Sequence, residues 1–109
     1  MMSSPLSCAV AAICLACCAG SAGAGPAMST NWQVTVLERD DCIRQGEAAL
    51  RGANLTQHLE TFQESVYGEN GEYTASIRCP SGKGLVFFVV AGPRMDRASK
   101  FLNELKERF

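Results

Sequence analysis

Residues 62–79 read FQESVYGENGEYTASIRC, and Asn70-Gly71 stands near the middle of them. Asn-Gly satisfies the two positive φ angles of a type I′ turn, the tightest link between antiparallel strands. Taken as a two-residue loop, it sets Glu69 opposite Glu72, Val66 opposite Ala75 and Phe62 opposite Cys79. Phe62, Val66, Tyr73, Ala75, Ile77 and Cys79 then share one face. Gln63, Ser65, Tyr67, Thr74, Ser76 and Arg78 share the other. A slip by one residue would exchange the faces, so the apolar pattern specifies the pairing. Glu64 is the misfit, a carboxylate on the apolar side that must be paired, lie at the sheet edge or shift its pKa.

Downstream, Pro80 to Lys83 forms a second turn. Leu85-Val86-Phe87-Phe88-Val89-Val90 follows, apolar on both sides of an extended chain. Such a run suits a central strand covered above and below, by its own domain or by a partner. Gly92-Pro93 ends it. Met95, Ala98, Phe101, Leu102, Leu105 and Phe109 then recur at helical spacing, with Lys106 and Arg108 in the last turn, where the helix dipole favours cations.

Upstream, Trp32, Val34 and Val36 alternate with Gln33 and Thr35 in a strand pattern that runs to Glu38. Asp40 or Asp41 caps a following helix. Its buried stripe is Cys42, Ile43, Gly46, Ala49, Leu50 and Ala53, and Gly52 offers a left-handed stop. Residues 54–60 fit a helical turn or the start of a strand, through Leu55 and Leu59. The resulting order is β-α-β-β-β-α. It predicts an α+β domain, a mainly antiparallel four-stranded sheet with two helices packed on one face.

The six cysteines divide into two groups. Cys8, Cys14, Cys17 and Cys18 lie in an Ala-rich stretch without charge; Cys42 and Cys79 lie in the foldable part, and the first charged side chain is Glu38. Leu6 to Ala19 matches the apolar core of a secretory signal, about 7–15 residues long, and Ala22-Gly23-Ala24 matches its small-x-small cleavage site. Residues 1–24 are therefore expected to be a signal peptide, residues 25–31 a flexible leader, and residues 32–109 one small domain in a periplasmic or extracellular compartment. Residues 1–5 carry no Lys or Arg. The stretch is too short, Ala-rich and Gly-broken for a transmembrane helix. Leu15-Ala16-Cys17-Cys18 resembles a bacterial lipobox, with Cys17 where Gly or Ala is usual, so Cys17 and Cys18 are candidate lipidation sites. Cys14, Cys17 and Cys18 lack the positioned scaffold that a metal site requires.

Export favours oxidation. The sequence model places Cys42 in the first turn of the first helix and Cys79 at the end of the third strand, on the face that helix covers. A Cys42–Cys79 disulfide is the expectation. No Cys-x-x-Cys pair follows residue 24, which argues against redox chemistry.

About 80 residues remain after the signal, near the lower limit for an apolar core alone. The chain carries 10 basic and 11 acidic side chains. That balance lacks the clustered basic excess of a nucleic-acid binder. Gly92 to Arg97 joins a strand to a helix, and Arg94, Arg97 and Lys100 could hold a small anion at the helix N-terminus. Ser81-Gly82-Lys83-Gly84 lacks the flanking Gly and Ser/Thr of a phosphate loop and precedes a strand, so it is turn chemistry. His58 is the only histidine and has no diagnostic neighbours. Asn54-Leu55-Thr56 is an N-glycosylation sequon, relevant in a eukaryote. No cofactor or metal motif is present. The sequence therefore favours a small exported interaction or ligand-binding domain, with a homodimer or a protein partner over the apolar strand. A lipid-anchored form and a small enzyme or anion binder are the alternatives.

Overall fold

The computed structural model describes residues 25–109. Five strands and two helices follow one another as β1 (Ala27–Val34), α1 (Arg39–Gly52), β2 (Gln57–Phe62), β3 (Ser65–Asn70), β4 (Tyr73–Arg78), β5 (Leu85–Gly92) and α2 (Met95–Arg108). The strands form one sheet in the order β1-β5-β4-β3-β2, antiparallel at every step. The α+β class is as expected. The sheet has five strands instead of four, because residues 57–62 form β2, a strand of their own.

The extra strand arises at a turn with no turn signature. Gln63 adopts φ 55°, a left-handed value rare outside Gly, Asn and Asp, and β2 folds back on β3 there. Phe62 therefore lies opposite Ser65, not Cys79. Cys79 instead donates its N–H to the Glu64 carbonyl at 2.7 Å. The main hairpin is also displaced: Asn70 pairs with Tyr73, Val66 with Ile77, and the turn is Gly71-Glu72. Gly71 has φ 58° and Glu72 does not, the pattern of a type II′ turn with Gly first. The displacement is two residues, so Val66, Tyr73, Ala75, Ile77 and Cys79 keep the inner face assigned to them. Only Phe62 changes sides.

Both helices pack on this inner face, α1 against β3 and β4, α2 against β5 and β1, and against each other. The core is Cys42, Ala49, Leu50 and Ala53 of α1 and its C-terminal turn, Val66, Tyr73, Ala75, Ile77 and Cys79 of the hairpin, Val86, Phe88 and Val90 of β5, and Ala98, Leu102 and Leu105 of α2, with Leu55. Tyr73 stacks at a tilt on Phe101 at 5.3 Å, and Phe109 meets Phe88 edge-on at 5.4 Å. Gln45 of α1 donates its amide to the Phe109 carbonyl, fastening the C-terminus.

Helix α1 ends at Gly52, and its left-handed closure comes two residues later. Asn54 takes the left-handed turn (φ 61°), Leu55 N–H bonds to Leu50 O, and Asn54 N–H to Arg51 O. These two bonds define a Schellman motif with Asn in the Gly position. The closure delivers Leu55 into the core and leaves Asn54 exposed. At the other end neither Asp40 nor Asp41 is the cap. Glu38 is, without a side-chain bond, and both aspartates lie in the first turn, where the dipole favours them.

The disulfide joins Cys42 to Cys79, 37 positions apart in the sequence, with the two Cα atoms 6.0 Å apart. Strand β1 begins at Ala27, so most of the stretch expected to be a flexible leader is strand. Among the described residues no helix is long and apolar enough to cross a membrane.

Two outcomes test this packing. Closing a loop of this length stabilises by about 4 kcal/mol in the chain-entropy model. The double variant Cys42→Ala/Cys79→Ala should lose roughly that amount in denaturant titration; a loss below about 1 kcal/mol would mean the reduced chain is already held compact. Gly68 of β3 lies under the Leu55 carbonyl, and a Cβ there would stand 2.1 Å from that oxygen. Because the obstacle is backbone, Gly68→Ala should lower stability by about 3 kcal/mol, visible as a drop in Tm.

Candidate functional site

The pairing of β1 with β5 decides what the second face of the sheet displays. Val86, Phe88 and Val90 are buried under the helices. Their opposite numbers in β1 are Gln33, Asn31 and Ser29, which therefore face the helical layer. Ser29 sits close to Ser99 of α2, with their hydroxyl oxygens 3.4 Å apart. The apolar side of β1 is turned outward. Met28 is 58% exposed, Trp32 56%, Val34 73% and Phe87 of β5 37%. The apolar alternation of Trp32 and Val34 identifies one face of a strand without saying which. The register with β5 assigns it to the side no helix covers.

Cross-strand rows map this open face. Trp32, Phe87, Arg78, Ser65 and Phe62 form one row from edge to edge. Thr30, Val89, Ser76, Tyr67 and Glu60 form the next, and Met28, Ala91, Thr74, Glu69 and Gln57 the third. Val34 and Leu85 complete the apolar end. The face is thus divided. Its β1–β5 half bears Met28, Trp32, Val34, Leu85, Phe87, Val89 and Ala91 with no ionisable group. Its β2–β4 half carries Glu60, Glu69 and Arg78. Exposed large apolar side chains are ordinary when scattered; a contiguous set on a flat face marks an interaction surface.

The two sheet edges differ as well. Strand β2 has an irregular register between Gln57 and Glu60, and His58 there adopts φ 51°. A bulge of this kind blunts an edge against further pairing. Strand β1 pairs with β5 through all eight residues without interruption and carries no charge or proline.

Of the residues singled out from the sequence, Arg97 and Lys100 share a recess and the others do not converge. Arg94 gives both its Nε and Nη2 hydrogens to Asp96, at 3.0 and 2.8 Å. Asp96, held by that contact below the usual carboxylate range, occupies the helix N-terminus with negative charge of its own. The Arg97 guanidinium lies 5.8 Å from the Tyr73 and Phe101 ring centres. Lys100 is exposed on the next turn and lines, with Arg97, Asn54 and Glu104, a recess of 260 Å³ beside the end of α1. His58 is 3.4 Å from the Glu69 carboxylate at the β2 edge. Among the described residues no group of His, Cys, Asp and Glu could hold a metal. A hollow of 530 Å³ lies over the disulfide, between residues 35–39 and the β4–β5 turn. Cys17, Cys18 and the rest of the stretch expected to be a signal peptide lie outside the described residues. A scan against models of protein families finds no match for this chain, and a search of curated proteins finds none either.

Glu64, the misfit of the sequence pattern, sits in the turn between β2 and β3 and accepts a hydrogen bond from the Ser81 backbone N–H at 3.3 Å. That bond, with help from the Ser81 hydroxyl, Arg78 and Arg39, holds its carboxyl below the ordinary value of 4.5. A folded pKa below the unfolded one favours the fold at neutral pH, and the contribution is lost as pH falls through the lowered value. Stability of the natural protein should therefore decline in acid below about pH 4.5, and Glu64→Gln should show a shallower decline. Denaturation midpoints measured across the acid range check this; parallel curves would assign Glu64 no part in it.

Proposed function

We propose that this chain is a small exported domain that acts by binding, not by catalysis, and that it binds through the apolar half of the open sheet face. The observation that carries this is the outward position of Trp32, Val34, Met28 and Phe87 on one flat surface beside a charged half. A large indole half exposed on a rigid strand is costly to hydrate and is the kind of anchor that dominates interfaces. Export to the periplasm or the extracellular space is supported by the uncharged apolar stretch ending at Ala22-Gly23-Ala24 and by the Cys42–Cys79 bond, which persists in oxidising compartments. The non-catalytic assignment is supported by the separation of the candidate groups. His58 and Glu64 lie at opposite ends of β2, and Arg94 is already paired with Asp96.

Expression from the full-length gene tests both parts. The exported product should begin near Gly25 and weigh two hydrogens less than its reduced form. A diacylglyceryl mass on Cys17 or Cys18 would instead give a lipid-anchored form. For the binding surface, a photoreactive residue in place of Trp32 should give crosslinked adducts in the cell, and the same residue at Thr56, which is exposed elsewhere, should not. Equal or absent adducts at both positions would discard the surface.

A further inference from the structure

We propose that the occupant of the open face is a second copy of this chain, packed sheet to sheet about a twofold axis parallel to the strands. This rests on the interaction surface proposed above. Three observations single out a second copy.

The first is area. Met28, Trp32, Val34, Leu85, Phe87, Val89 and Ala91 together expose on the order of 500 Å². Two such halves facing each other bury about 1,000 Å², the threshold of a specific interface. One copy supplies half of that from side chains already in place on a rigid sheet, so little ordering is needed to form it.

The second is charge. A twofold interface brings each residue near its own equivalent. The β1–β5 half contains no ionisable group, so self-pairing opposes no like charges. The β2–β4 half, with Glu60 and Glu69, would oppose carboxylates if it lay at the axis. An axis along β1 and β5 places the charged halves on opposite flanks, in water. Arg78 is the only cation on this face of the five strands, too few to draw the surface to anionic lipid.

The third is shape. Strand β1 is regular over its length, and its outward side chains alternate large and small: Met28, Thr30, Trp32, Val34. Two twisted sheets of this kind pack with their strands within about 30° of each other and interdigitate. Trp32 and Phe87 are direct neighbours in one row, and an axis along the β1–β5 seam sets Trp32 of each copy over Phe87 of the other.

Trp32 is the only tryptophan in the chain, so its fluorescence reports on this surface alone. Protein made from the full-length gene should sediment at twice the protomer mass at high concentration and dissociate on dilution. The Trp32 emission should shift to the red as it does so. Val34→Glu and Phe87→Glu should each weaken association by about a hundredfold or more, with the disulfide and circular dichroism unchanged. Glu60→Lys, on the flank, should leave it within a few-fold. A monomer at all concentrations overturns the dimer, as does a dimer that neither glutamate variant weakens. A dimer whose Trp32 emission does not move with dilution joins by its β1 edges and overturns it too. The binding surface itself falls separately, by the crosslinking at position 32: adducts at another mass refute only the second copy, and no adducts refute the surface.

Discussion

The bond between Cys42 and Cys79 is the constraint from which the arrangement of this small domain follows. It fixes the first turn of α1 against the end of β4, at the point where the chain leaves the sheet for the β4–β5 turn. A helix pinned at its N-terminal end can still pivot. Its other end is set by the Schellman closure at Asn54, which drives Leu55 under the sheet and brings the Leu55 carbonyl over Gly68. With both ends of α1 fixed on β3 and β4, the inner surface of β5 and β1 is left for α2. The core is then one layer thick, between two helices and one face of the sheet. A domain of this size cannot build a second apolar layer from its own chain.

That limit explains the bare face. Strand β5 is apolar on both sides, and the domain has helices enough for one. Its inner residues Val86, Phe88 and Val90 are buried, while its outer residues are left to neighbours on the sheet. On the β4 side those neighbours are Thr74, Ser76 and Arg78, which suit water. On the β1 side they are Met28, Thr30, Trp32 and Val34, which mostly do not. Burial under the helices alone would favour the reverse arrangement of β1, with Trp32 inside and Gln33 outside. The observed register therefore spends no large apolar side chain of β1 on the protein's own core.

Much of this was legible in the sequence, and the failures have physical causes. The α+β class, both helices and the disulfide followed from periodicity and from cysteine positions. The hairpin was legible in its faces and not in its register. Asn70-Gly71 signals a type I′ loop, but Gly71 alone can open a type II′ loop one residue later. Both choices keep the same side chains inside, so the apolar pattern cannot tell them apart. Strand β2 was hidden because Gln63 adopts a left-handed conformation that its side chain does not advertise. At the candidate surface, the alternation of Trp32 and Val34 showed that β1 had an apolar side. Its direction depends on a partner strand more than 50 residues away, and no local pattern encodes that.

The same long-range pairing has a consequence for the order of assembly. Among the described elements strand β1 is made first, yet its only partner strand, β5, ends at Gly92. The meander β2-β3-β4-β5 can zip up by successive local hairpins. The outermost strand must wait for β5, and closing so large a loop is slow. Until then the segment that becomes β1 has no strand to pair with. A topology of this kind keeps its leading strand threadable through a narrow channel until β5 has been made.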